Sequence, residues 1–256
     1  MDADYGRHYR VLYERHWWWR AREAVVLRAL ERLRPEGGWR SALDVGCGDG
    51  LLLDALEAYA SSVEGLEPDR NLVSEARAKR IHVRSFDATF RPGRTYDLVL
   101  FLDVLEHIER VEPAIFHART LLDPGGVLVV TVPAYRHLWT THDDLNHHVT
   151  RYTRRRLLEL LSEGFEVEEA RYFFRWVYPA KVAQRLVEGI RRPEPAPPEV
   201  PPAPVNAALY LLSRVEETLL RKAPLPFGTS VLAVARRLPD GGATSTFPHP
   251  PTTPGP

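Results

Sequence analysis

The sequence predicts an α/β protein: a doubly wound, mostly parallel sheet of seven strands, with a helical cap at the N-terminus and a helical insertion before the last strand. Three observations predict it. Residues 42–45, 96–102 and 127–132 are apolar almost without alternation, as strands buried on both faces are. Helix-period segments separate the early strands, the pattern of a parallel sheet covered on both sides. A glycine-rich loop, residues 46–50, ends the first run at the carboxyl end of a strand, where such sheets bind their ligands.

Residues 1–38 form the expected cap. Val25, Val26, Leu27, Leu30 and Leu33 recur at roughly 3.6-residue spacing, and Pro35-Glu36-Gly37-Gly38 stops the helix. Trp17-Trp18-Trp19 lies just upstream; it suits packing of this helix on the sheet, or alternatively a roof over an apolar acceptor. The core, 39–175, then reads strand 42–45, helix 51–60, strand 63–67 closed by Pro68, and helix 71–80 with Asp69 as N-cap. Strand 81–84, strand 96–102, helix 111–122, strand 127–132, helix 154–163 and strand 165–174 follow. The insertion, 176–228, holds two helices, 177–190 and 205–220. Between them a spacer, 192–204, carries seven prolines and is expected to be extended. On the second helix Val205, Ala208, Leu209, Leu212, Val215 and Leu219 share a face, expected as a lid over a bulky apolar ligand, with a dimer face or core packing as alternatives. Its cations Arg214, Arg221 and Lys222 are offset by Glu216 and Glu217, which disfavours an anionic membrane surface. Residues 229–238 are the final strand, and 239–256, rich in Gly, Thr and Pro, are expected to be disordered.

Composition excludes several function classes. The 34 basic and 34 acidic side chains cancel, which argues against a broad nucleic-acid-binding surface, so no nucleic-acid partner is expected. One cysteine, Cys47, allows no internal disulfide and no Cys-rich zinc site. The N-terminus shows no secretory leader pattern and no apolar run reaches membrane-spanning length, so a cytoplasmic protein is expected.

The loop Asp44-Val45-Gly46-Cys47-Gly48-Asp49-Gly50 suits a nucleoside cofactor. Its glycines permit a tight turn and close backbone approach, and Glu67, 21 positions after Gly46, can take both ribose hydroxyls. A dinucleotide loop would place its third glycine where Leu51 stands, and Asp44 and Asp49 would repel a pyrophosphate. A nicotinamide oxidoreductase is therefore disfavoured. A cofactor with a cationic amino group fits Asp44 better.

Residues 43–50 resemble the first motif of class I S-adenosylmethionine-dependent methyltransferases. Gly65-Leu66-Glu67-Pro68-Asp69, Phe86-Asp87-Ala88, the run from Tyr96 to His107, and Leu122-Asp123-Pro124-Gly125-Gly126 are similar to four further motifs, in order and at suitable spacing. The resemblance implies a Rossmann-like methyltransferase fold with S-adenosyl-L-methionine as cofactor. By it Asp44 would bind the methionine amino group, and Gly46, Cys47, Gly48 and Gly50 would cradle the methionine portion. Glu67 would hold the ribose, Asp87 and Ala88 would meet adenine, and Leu102 and Asp103 would close the pocket. A non-catalytic cofactor-binding protein on the same fold is the alternative.

After the fifth strand, residues 133–152 are long, polar and aromatic, as functional loops often are. Trp139, His142-Asp143, His148 and Arg151-Tyr152 resemble a small-molecule-type subgroup of these methyltransferases, with Thr150 a departure from its usual Arg. His16-Trp17-Trp18-Trp19 and Leu225-Pro226-Phe227-Gly228 resemble the subgroup's ends. His142 and His148 are candidate bases with Asp143 as orienting carboxylate, and His107 is a further candidate. Hydrogen bonds that merely anchor the loop are the alternative role for His148, Arg151 and Tyr152. His142, Asp143, Asp144 and His147 have metal-ligand chemistry, but their spacing is not diagnostic and no metal is expected. The lone Cys lies in the cofactor loop, against pyrimidine C5 chemistry, and Leu102-Asp103-Val104-Leu105 replaces the Pro-Pro-aromatic motif of adenine N-methylation. The expected acceptor is a small or lipid-like molecule, methylated at oxygen or carbon.

Overall fold

The computed structural model describes residues 3–239 apart from 192, 193 and 195, with the backbone alone for 3–7. Of the expected disordered tail, 240–256 lie outside the described residues. Helices α1 (Ala3–Arg15) and α2 (Trp17–Leu33) precede the sheet. Its strands are β1 (Trp39–Val45), β2 (Ala60–Glu67), β3 (Ile81–Val83), β4 (Tyr96–Leu102), β5 (Leu122–Pro133), β6 (Phe165–Phe173) and β7 (Ser230–Arg237). Connecting helices are α3 (Leu51–Leu56), α4 (Val111–Leu121), α5 (Thr141–Leu145), α6 (Arg154–Leu161), α7 (Val177–Arg191) and α8 (Ala203–Leu220).

The seven strands lie in the order β3-β2-β1-β4-β5-β7-β6. Six run in the same direction, and β7 runs antiparallel to them between β5 and β6. From β1 the chain winds outward to β3, then returns to β4 on the other side of β1. The strand order reverses there, so the carboxyl ends of β1 and β4 open a crevice suited to a ligand. The missing alternation in β4 has a direct cause. Val99 and Phe101 pack with Ile115 of α4 and Leu157 of α6 on one face. Leu98 and Leu100 pack with Val26 and Leu30 of α2 and Leu53 of α3 on the other.

Local chemistry sets the α2 entry. His16 caps it, its ring nitrogen accepting from the Trp18 N–H at 3.1 Å. Trp17 is buried against Phe174 and Trp176, with ring centroids 5.9 and 5.3 Å away, which is the packing role expected for this run.

Besides α3, which ends at Leu56 where the pattern runs to 60, and β2, which opens at Ala60, two elements differ from expectation. Residues 71–80 form turns and a short 3-10 segment, Ala78–Arg80, instead of a helix. Side chains from the glycine loop and α3 compete for the segment: Asp49 accepts the Ser74 N–H at 2.8 Å, and Asp54 holds Arg77 at 2.6 Å. The second difference is the orientation of α8. Its buried residues are Asn206, Ser213, Glu216 and Glu217, while Val205, Leu212, Val215 and Leu219 are exposed. The polar side wins because every group on it finds a partner. Asn206 accepts from the Trp17 N–H and donates to the Arg15 carbonyl, both at 2.8 Å. Glu216 accepts from the Trp176 N–H at 2.9 Å, and Glu217 from Arg171 at 2.7 Å. The two acids therefore face inward and do not offset the outer cations.

Candidate functional site

The glycine loop leaves β1 at Val45 and enters α3 at Leu51. Gly46, Gly48 and Gly50 all have positive φ, and a Cβ on Gly46 would sit 2.6 Å from Val104 Cγ2. The loop thus lies directly against the segment that follows β4.

A cavity of about 20 Å³, room for roughly one water, lies beside this loop. Tyr9, Tyr13, Arg22, Asp44, Gly46 and Leu102 are among its walls. Two opposite charges converge on it. Asp44 is 3% exposed, and burial pushes its carboxyl up to about 7 against the pull of Arg22. Arg22, also buried, donates to Asp103 Oδ2 at 2.6 Å and to the Leu102 carbonyl at 3.2 Å. Its Nε has no partner among the described residues. An acidic and a basic group on one small space match the amino and carboxylate ends of an amino acid. Tyr9 and Tyr13 of α1 also line the cavity, and Arg10 of the same helix pairs with Asp49 at 2.6 Å.

The other expected cofactor residues are placed unevenly. Cys47 lines the cavity, and burial together with nearby carboxylates pushes its thiol well above the usual range, so it is no nucleophile. Glu67 accepts from the Gly48 N–H and the Asp69 N–H, each at 2.9 Å, which couples β2 to the loop. Asp87 and Ala88 are exposed and outside the cavity, and Asp87 closes a turn on the Thr89 N–H at 2.7 Å. Arg22 is absent from the sequence expectations. Its signal was an arginine within the apolar stripe of α2, three and four residues before Val25 and Val26.

Beyond β5 the chain forms a second constellation. Asp143 is fully buried in α5. It accepts from Arg151 Nε at 2.7 Å and from the Thr140 N–H at 2.9 Å, and pairs with His148 Nδ1 at 2.9 Å. Burial alone would raise its carboxyl; the bonds from His148 and Arg151 outweigh this and hold it far below the usual range. Arg151 also donates to the Ala134 carbonyl, and the Tyr152 hydroxyl to the Leu105 carbonyl, at 2.8 and 2.9 Å. These bonds anchor the segment. They also carry His148 to His107, with ring centroids 4.8 Å apart, while the His142 ring lies 6.5 Å from His148. Burial pushes His142 down to about 4. His142, Asp143, Asp144 and His147 do not gather as a ligand group among the described residues.

The methyltransferase-domain family matches residues 18–170, which include Arg22, the glycine loop and the segment after β5 but not Tyr9, Arg10 and Tyr13. A protein of Mycolicibacterium smegmatis, named a probable S-adenosylmethionine-dependent methyltransferase, is 31% identical over 165 residues, covering 62% of this chain and 63% of its own. A ubiquinone biosynthesis O-methyltransferase of Rhizobium etli is 34% identical over 105 residues, covering 38% of this chain and 42% of its own. The chain thus spans less than two thirds of the length of these curated relatives. Among solved structures, an S-adenosylmethionine dependent methyltransferase from Mesorhizobium loti matches in fold, with a TM-score of 0.55 at 21% identity, covering 83% of this chain and 98% of the other.

Proposed function

The chain belongs to the methyltransferase-domain family, and from that premise we propose that it is a class I S-adenosylmethionine-dependent methyltransferase acting on a small or lipid-like acceptor, at oxygen or carbon. One observation carries this: buried Asp44 and Arg22 bring opposite charges to one cavity beside the glycine loop. Asp44 binds the amino group of the cofactor and Arg22 its carboxylate. The backbone from Gly46 to Gly50 lies along the methionine portion. Glu67, fixed by two backbone N–H bonds, keeps lone pairs for ribose hydroxyls. Asp87 and Ala88 stand for the adenine end, and Leu102 and Asp103 for the wall. Tyr9 and Tyr13 line the cavity, whose volume of about 20 Å³ is too small for the cofactor, so cofactor binding requires these side chains to move. When bound, S-adenosylmethionine supplies a methyl group on a sulfonium, open to in-line displacement.

The acceptor side is the His107–His148 pair, with His142 beside it. Asp143 is a positioning residue: it fixes the His148 ring through Nδ1. The imidazoles align the acceptor's reacting atom, and His142 or His148 takes its proton. Such a positioned base contributes about 10²–10⁴-fold in rate. The name O-methyltransferase among the relatives favours an oxygen acceptor. The Trp139, His142-Asp143, His148 and Arg151-Tyr152 pattern supports membership of the small-molecule-type subgroup.

Thermal unfolding tests the cofactor. S-adenosylhomocysteine at 100 times its dissociation constant should add about 2.7 kcal/mol. The shift is expected with S-adenosylhomocysteine and S-adenosylmethionine, lost in Asp44→Ala, and absent with NADH. No shift with either sulfur ligand, or a shift with NADH alone, would overturn the reading.

A further inference from the structure

We propose that Glu106, His107 and His148 form a binding site for one divalent transition-metal cation. One carboxylate oxygen and two imidazole nitrogens, one from each residue, lie within 4.8 Å of one another. Glu106 and His107 come from the turn after β4, and His148 from the segment after α5. Backbone bonds hold the two together: the Val149 N–H donates to the Glu106 carbonyl at 2.8 Å.

Glu106 is the second, independent observation. Its side chain is 1% exposed, and neither carboxyl oxygen has a hydrogen-bond partner among the described residues. A buried polar group left this way is costly unless something satisfies it. The ring nitrogens that face it offer lone pairs of the same kind. A cation is what satisfies a carboxylate and two imidazoles at once.

One ring is also held from behind: His148 is fixed through Nδ1 by Asp143. Metal-binding imidazoles are oriented in this way, by a carboxylate or a carbonyl on the far nitrogen. His147 and Asp103, which flank the cluster, have φ of 56° and 57°, in the left-handed region. Such strain in non-glycine residues concentrates at functional sites.

The donor set selects the ligand class. Two imidazoles with one carboxylate suit zinc, manganese or iron, whereas magnesium and calcium prefer oxygen donors alone. Glu106 closes the inner side and His107 is exposed, so one side of the site is open to an outer ligand such as an acceptor oxygen. A bound cation would occupy the His148 ring, which leaves His142, outside the ligand set, as the base. The site stands on these three residues and does not depend on cofactor binding.

Calorimetric titration of the metal-stripped full chain with zinc chloride, then manganese chloride, tests it. One equivalent per chain is expected. His107→Ala removes an exposed ligand without opening the core, and should weaken binding by about tenfold or more, as should Glu106→Gln. Far-UV circular dichroism checks that each variant folds; if Glu106→Gln does not, His107→Ala decides. No uptake of either cation by the wild-type chain would overturn the proposal, and so would binding that His107→Ala leaves unchanged. The S-adenosylhomocysteine shift is measured separately, so loss of the methyl-transfer reading and loss of the cation site are told apart.

Discussion

Asp44 sits in a conflict between burial and use. With a carboxyl pushed up to about 7, the free protein holds it protonated over much of the acidic range. Pairing with a cationic amino group needs it ionised. Below pH 7 ligand binding must therefore release a proton, and affinity for S-adenosylhomocysteine should fall by up to about tenfold per pH unit. Asp44→Asn should bind weakly and flatten this slope. Calorimetry between pH 5.5 and 8.5 checks both; an equal slope in the two proteins would exclude Asp44 as the titrating group. Stability runs the other way. A folded pKa above the unfolded one gives stability that is full at low pH and lost as pH rises through 7, so unliganded Asp44→Asn should unfold at a higher temperature than wild type at pH 8. Asp44 and the glycines are legible in the sequence because their geometry is local. Arg22 is not, because α2 must first fold back over β1. Glu106 is likewise silent in sequence, since its burial depends on Val149 and Tyr152 returning from beyond β5.

Helix ends were more legible than helix faces. The bounds of α4, α6 and α7 fall within two residues of the sequence pattern, since Gly164 and the irregular Asp123-Pro124-Gly125-Gly126 start of β5 act locally. The face of α8 could not be read that way, because its acids and Asn206 find partners on α2, β6 and the chain just after β6. Two substitutions separate the faces. Asn206→Ala strands the buried Trp17 N–H and should cost about 1–3 kcal/mol in thermal or denaturant unfolding. Leu219→Ser, at a site 73% exposed, should change stability by less than about 0.5 kcal/mol. The opposite ranking would restore the apolar face to the core.

The sheet as a whole follows from the early strand–helix alternation, which dictates parallel winding through β5. The place of β7 does not follow from any local pattern. It pairs with β5 from Val127 to Pro133 and with β6 from Phe165 to Phe173, and β6 has no other strand neighbour among the described residues. A chain ending at Gly228 should leave both edges open, and is expected to be insoluble or to lose cooperative unfolding. A soluble, cooperatively melting fragment of that length would contradict this. The same topology fixes an order of events during synthesis. At about 5–20 residues per second, several seconds pass between the emergence of β6 and that of β7. Through that interval β6 has no strand to pair with, and the nascent sheet ends at β5. Folding finishes by placing the newest strand between two older ones, so premature stops anywhere in the last stretch before β7 are expected to yield chains for proteolysis and not partly folded protein that persists.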